Sequence, residues 1–178
     1  MDRPQPRGRA HRLQLCRLED VLSLAQGRGL VLEVKGPPRR SGAGPRTAAA
    51  LARLLDGPGS GPRPEVTVSS FAAPLLGQVR QMLGRRSGVR TALLGHPWQT
   101  ASSVLHRARA DGHHEIHPSV GTVLGAPVVE AAHDAGLTVV PWTVNSARDV
   151  RRLQRAGVDG VISDVPRVVH GALTPAFA

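Results

Sequence analysis

LTVVPWTVNSARDVRRLQRAGVDGVISD, residues 137–164, holds one full turn of the pattern that decides the fold. Leu137 to Thr143 is an apolar, β-branched run that reads as a strand, and Gly160 to Ser163 reads as the next one. Between them, Ser146 and Asp149 stand in the Ser-x-x-Asp form of a capping box, where a hydroxyl satisfies a first-turn N–H that no helical carbonyl can reach. Gly157 then supplies the left-handed conformation that closes a helix just before a strand. The stretch is therefore strand, helix, strand.

The same joint recurs upstream. Gly112 and Gly136 each end a helical pattern and are followed within a residue or two by β-rich sequence. Further strands are expected near Leu30 to Lys35, Glu65 to Ser69, Val89 to Leu94 and His114 to His117, which makes six in all. Ala72, Leu75, Leu76, Val79, Met82 and Leu83 follow the spacing of one buried helical stripe, and Trp98, Ala101, Val104, Leu105 and Ala108 repeat it. The Pro- and Gly-rich stretches 36–46 and 56–64 read as loops, and residues 1–12 as a disordered basic segment ahead of a domain spanning 13–175.

Strict β/α alternation implies parallel strands joined by right-handed crossovers, in either an open doubly wound sheet or a barrel. A nucleotide-binding doubly wound sheet needs a row of backbone amides after its first strand. Here Gly36-Pro37-Pro38-Arg39-Arg40 follows Lys35, and the prolines cannot donate. The α/β fold class is therefore expected to be a (β/α)8 TIM-type barrel. It is incomplete, since eight units usually need about 250 residues and this chain has 178.

Composition narrows the function. Hydrophobic residues make up 40% of the chain, enough for a packed core, and the single cysteine, Cys16, can close no internal disulfide. No run of about 18 apolar residues exists to cross a bilayer, and a cytoplasmic location is the expectation. The formal charge of +10 invites a nucleic-acid reading. The arginines are nevertheless scattered, and Phe71, Trp98, Trp142 and Phe177 are the only aromatic residues, which leaves no stacking platform for bases. Solvated surface charge accounts for the excess, and no nucleic-acid partner is expected.

In a barrel of this type chemistry gathers where strands end, so the last residue or two of each strand carry the information. Alternation puts Glu33 and Lys35 on one face, where a carboxylate suits a hard divalent cation and an ammonium suits a phosphate oxygen. An exposed ion pair is the plainer alternative. Lys35 is the only lysine among 22 arginines, which marks a place that wants a compact charge. Ser69, Ser70 and Phe71 close the second strand, with hydroxyls able to meet a phosphate or to cap the next helix. Trp142 sits at a strand exit, either lining a pocket or packing in the core, and Asp164 is an N-cap or a catalytic acid. Among His113, His114, Glu115 and His117, only Glu115 and His117 share a face, short of the three or four ligands that zinc needs. His96, His106, His133 and His170 fall in loops or helices without a visible carboxylate to orient them.

In order along the chain, Leu18-Glu-Asp-Val-Leu22, Val31-Leu-Glu-Val-Lys35, Val68-Ser-Ser-Phe71, Pro141-Trp-Thr-Val-Asn145 and Gly157-Val-Asp-Gly-Val-Ile-Ser-Asp-Val-Pro166 resemble the glycerophosphodiester phosphodiesterase (GDPD) family. The likeness runs from about Leu13 to about Val169. It implies a (β/α)8 barrel that binds Ca2+ or Mg2+ and hydrolyses glycerophosphodiesters to an alcohol and glycerol 3-phosphate. By the same resemblance Glu33 matches a metal-binding carboxylate, Lys35 a phosphate contact, and Phe71 and Trp142 the wall of a glycerol pocket.

The family's His-Arg motif, Glu-x-Asp pair and second His-Asp motif, which supply both acid/base histidines and two metal ligands, have no match in these 178 residues. The chain accordingly reads as N-terminally truncated by two strands, with no complete catalytic set, weak metal binding, little turnover alone, and exposed sheet edges prone to self-association. A non-catalytic phosphate- or partner-binding module and a basic nucleic-acid binder remain the alternatives.

Overall fold

The short β-branched runs lie side by side because each buries one apolar face against the helix that follows it. In the computed structural model, which describes residues 15–25, 27–36, 43–56, 65–84, 88–124 and 127–173, the elements alternate. They run α1 (Leu18–Leu24), β1 (Leu30–Glu33), α2 (Ala43–Asp56), β2 (Val66–Ser70), α3 (Ala73–Leu83), β3 (Arg90–Leu94), α4 (Ala101–Ala110) and β4 (Glu115–His117). Then come α5 (Val120–Val123), α6 (Val128–Asp134), β5 (Thr138–Val139), α7 (Ala147–Arg155) and α8 (Pro166–Leu173). The segment 1–12 and residues 37–42 and 57–64 lie outside the described residues, whereas residues 43–46 and Asp56, expected in loops, belong to α2.

The sheet has the order β1-β2-β3-β4-β5, every pair parallel, as crossovers through helices require. Register partners divide its two faces. Val66, Val68, Leu93, Ile116 and Val139 point to the helix side and join Leu76, Val79, Val104, Ala108 and Ala132 in the core. Thr67, Arg90, Glu115 and His117 point the other way, toward what a barrel makes its interior, and are joined there by side-chain hydrogen bonds. Strands three apart in a flat sheet would lie about 14 Å from each other, yet the Phe71 ring after β2 and the Trp142 ring after β5 have centroids 5.4 Å apart. The sheet is curled, as an arc of a barrel must be.

Five strands are formed rather than six, and the sixth segment is bonded in place without becoming a regular strand. Asp159 N–H donates to Val139 O at 3.0 Å, Ile162 N–H to Pro141 O at 2.9 Å, and Val144 N–H to Ile162 O at 2.8 Å. Pro141 has no N–H to return, so the ladder beside β5 is broken there. The outer edge of β1 has no strand neighbour among the described residues.

Local signals held closely. Gly112, Gly136 and Gly157 have φ of 71°, 72° and 80°, the left-handed geometry that closes α4, α6 and α7. Ser146 Oγ accepts from Asp149 N–H at 3.0 Å. Because this bond satisfies an otherwise orphaned donor, Ser146→Ala is expected to cost about 1 kcal/mol in a urea melt. Two stripe residues were misread, and one is Met82, which lies in α3 but is 46% exposed. Trp98 is 78% exposed and stands outside α4, because Thr100 caps that helix and begins it at Ala101.

Candidate functional site at the strand ends

The exits of β1, β2, β3, β4 and β5 all open on one end of the arc, since the strands are parallel. β1 delivers Glu33 and Lys35, whose side chains meet at 3.1 Å, the lysine 84% and the glutamate 40% exposed. The exit of β2 is stitched to that of β1: Ser70 Oγ donates to Val34 O at 2.6 Å and accepts from Ala72 N–H at 3.1 Å. Ser70 thus shapes the turn ahead of α3 without capping it: the N-cap is Ala72, and no side chain caps this helix, contrary to the capping alternative of the sequence reading. Continuing the register that pairs Glu33 with Ser69 sets Lys35 level with Phe71.

Phe71 makes two ring contacts. It meets Trp142 in a T-shaped contact at 83° across the mouth, and its face stacks on His96 at 4.4 Å and 21°. His96 in turn stacks on Trp98 at 4.2 Å and 8°. Trp142 is fixed from below, its Nε1–H donating to the His117 carbonyl at 2.8 Å, and its backbone bonds to Pro118 and Val120. Of the four aromatic residues in the chain, three gather here rather than in the core.

Beneath the rings lies a buried polar cluster. Glu115, 6% exposed, accepts from Arg90 Nε–H at 2.7 Å and Thr67 Oγ–H at 3.0 Å, and its other oxygen meets His117 Nε2 at 3.0 Å. Burial pushes the Glu115 carboxyl up, but the hydrogen bonds from His117, Arg90 and Thr67 more than offset it and hold it at about 2. His117 Nδ1 is buried without a partner. On the helix side, burial pulls the His113 imidazole down to about 4, and its Nδ1 lies 3.1 Å from Thr91 Oγ1.

Of the residues expected to form the site, Phe71 and Trp142 touch each other, and Glu33 and Lys35 pair with each other. Asp164 instead accepts from Asn145 Nδ2–H at 3.0 Å and helps lock the last two strand ends together. His96 and Trp98 escaped the sequence reading, which had no pairing signal for a loop residue and placed Trp98 on a helix. A groove of about 970 Å3 runs along the helix side instead, lined by Arg80, Arg107, Asp111 and His114, away from these rings.

A divalent cation needs several anionic oxygens. Glu33 offers one carboxylate, already paired to Lys35, and no group of three or more His, Cys, Asp or Glu suited to a metal exists among the described residues. These residues do not by themselves fit a metal ion. Nor is any described helix long and apolar enough to cross a membrane.

Known proteins share this fold. A structure described as a glycerophosphoryl diester phosphodiesterase from Silicibacter pomeroyi DSS-3 superposes with a TM-score of 0.73 at 28% identity, over 88% of this chain and 55% of its own. An Oleispira antarctica phosphodiesterase, solved with the product sn-glycerol-3-phosphate, matches with a TM-score of 0.70 at 21% identity, over 88% and 60%. A glycerophosphodiester phosphodiesterase of Caldanaerobacter subterraneus subsp. tengcongensis is 32% identical over 76 residues, 43% of this chain and 28% of that one. The chain thus spans between about a quarter and three fifths of these relatives. The model of the Glycerophosphoryl diester phosphodiesterase family matches residues 2–168, from ahead of α1 into α8. That match takes in all five strands and every exit that carries Glu33, Lys35, Phe71 and Trp142, and so the chain belongs to the glycerophosphoryl diester phosphodiesterase family.

Proposed function

We propose that these strand ends form part of a phosphoric diester hydrolase site that takes glycerophosphodiesters, with glycerol 3-phosphate and an alcohol as products. Lys35 meets the phosphate, Phe71 and Trp142 wall the glycerol, and Glu33 contributes one carboxylate toward a divalent cation whose other ligands are not among the described residues. The observation that carries this reading is the Phe71–Trp142 contact over the curled face that also bears Glu33 and Lys35. A glycerol backbone presents CH faces to such rings, while the exposed ammonium beside them attracts a phosphate.

Hydrolysis needs one group to take the proton from water as its oxygen attacks phosphorus, and another to protonate the departing alkoxide. Glu33 and Lys35, bonded to each other, cannot fill both roles. The chain by itself is therefore expected to bind product more readily than it turns over substrate. Calorimetric titration with sn-glycerol 3-phosphate should give a dissociation constant on the order of millimolar, weakened about tenfold in Lys35→Met, where the charge is lost and the stem kept. No binding, or binding indifferent to Lys35→Met, would remove this reading.

Titration with Ca2+ or Mg2+ is expected to show affinity no tighter than about millimolar, as one carboxylate allows. A glycerophosphodiester turnover that needs added metal and vanishes in Glu33→Ala would instead mean that the chain works unaided.

A further inference from the structure

The helix-side groove opens at the entrances of the strands, the end opposite to the mouth. Val89, Arg90 and Thr91 at the start of β3 line it, as do His114 just ahead of β4 and the last turns of α3 and α4. Its charged side chains are held in place. Arg80 leaves α3 and crosses to the turn between α4 and β4, where its Nη1–H donates to Asp111 O at 2.7 Å. There it lies against Gly112: a Cβ on this glycine would stand 2.7 Å from Nη1 and 2.8 Å from Nη2, so a side chain there would displace the guanidinium. Arg107 Nε–H donates to Asp111 Oδ2, and Arg90 Nε–H to Glu115 Oε1. Two arginines thus face carboxylates, whereas Arg80 faces a carbonyl, which carries no formal charge.

A helix C-terminus opposes an anion through carbonyls left unmet. At α4 the carbonyls of Arg107, Ala108 and Arg109 accept from Asp111, His113 and Gly112 N–H, and Arg80 takes that of Asp111. Capping uses one N–H, and a guanidinium carries five. His114 adds a further donor, since its Nδ1 accepts from Thr91 N–H at 3.0 Å and the neutral ring must then carry its proton on Nε2. Burial, with Arg90 and Arg80 close by, lowers this imidazole and keeps it neutral at pH 7. The space of about 970 Å3 in front of these groups is that of a small-molecule site, and a Cβ on Gly77, Gly84 or Gly88 along it would meet nothing within 4 Å.

From these contacts we propose that the groove binds a phosphate dianion, free or at the end of a small ester, on Arg80, with Arg107 and His114 as flanking donors. Donors arriving from three elements suit a tetrahedral anion, whose oxygens point apart, better than a flat carboxylate that one guanidinium satisfies. Pro74, Leu83 and Val89 form an apolar wall beside them for the body of an ester. This site owes nothing to the reading of the mouth.

Titration of the 15N-labelled chain with inorganic phosphate, at an ionic strength held constant with sodium chloride, is expected to shift the Asp111, Gly112 and His114 amide resonances saturably. Chloride alone should leave them still. Phenyl phosphate separates the two sources: binding at least about threefold tighter than phosphate assigns the groove to an ester with an apolar body, and affinity no tighter assigns it to free phosphate. Followed by the same resonances, Arg80→Gln should weaken phosphate about tenfold. Arg107→Gln, at a side chain 57% exposed that spares the fold, should weaken it about threefold and carries the test if Arg80→Gln does not fold. Amides unmoved by phosphate, moved equally by chloride, or saturating alike in the parent and both variants overturn the inference. Shifts confined to Lys35 and Phe71 overturn it as well, and leave the reading of the mouth intact.

Discussion

Glu115→Ala is expected to lower the unfolding free energy by about 3 kcal/mol, the cost of breaking a buried charged pair and leaving its partners unmet. Three donors converge on that carboxylate from three strands: Thr67 on β2, Arg90 on β3 and His117 on β4. Arg90 is 44% exposed and can turn to water, which keeps the loss near the low end of such effects. His117 has almost no exposed surface and cannot. Glu115→Gln keeps the shape and one acceptor, so it should cost about 1 kcal/mol. Urea denaturation of the three proteins checks the order. Because the His117 carbonyl holds the Trp142 indole, the alanine variant should also change the indole fluorescence, an effect the glutamine variant shows weakly. A loss under about 1 kcal/mol for alanine would mean that the curl is maintained by apolar packing alone.

Acid should unfold the protein in two overlapping windows. Burial lowers the His113 imidazole to about 4 from its ordinary 6.5, so between those values the unfolded chain binds a proton that the folded chain refuses. Stability therefore falls as pH drops from 6.5 to 4. His114, also lowered by burial, acts in the same direction. Glu115 is held at about 2 against an ordinary 4.5, so its contribution, complete above 4.5, is lost as pH falls toward 2. Each of the two is worth on the order of 2 kcal/mol once solvent screening is allowed for. Denaturation midpoints measured from pH 8 to pH 3 should be level above about 7 and then decline continuously. His113→Gln is expected to flatten the upper window and leave the lower one. A decline that begins only below pH 5 would assign acid sensitivity to the carboxylates alone.

Part of the fold was legible because it is local. The positive φ at Gly112, Gly136 and Gly157 and the Ser146 cap each depend on residues within a turn or so of one another, and strand alternation correctly placed Glu33 with Lys35 and Glu115 with His117. The misplacement of Trp98 has a local cause too. Helical spacing continues smoothly from Trp98 through Ala108, and only the Thr100 cap, a single hydrogen bond to Ser103, decides that the helix starts after it.

The sequence by itself determined the order of strands and helices, the parallel direction of the sheet, the glycine-closed ends of α4, α6 and α7, and the family. The tertiary structure alone decided that Phe71 meets Trp142, that His96 lies between Phe71 and Trp98, and that Thr67 and Arg90 close on Glu115. Periodicity tells which side of a strand a residue faces. Which residues meet across that side depends on how far the sheet curls, and curl is a sum of small twists over strands and of the helices packed behind them.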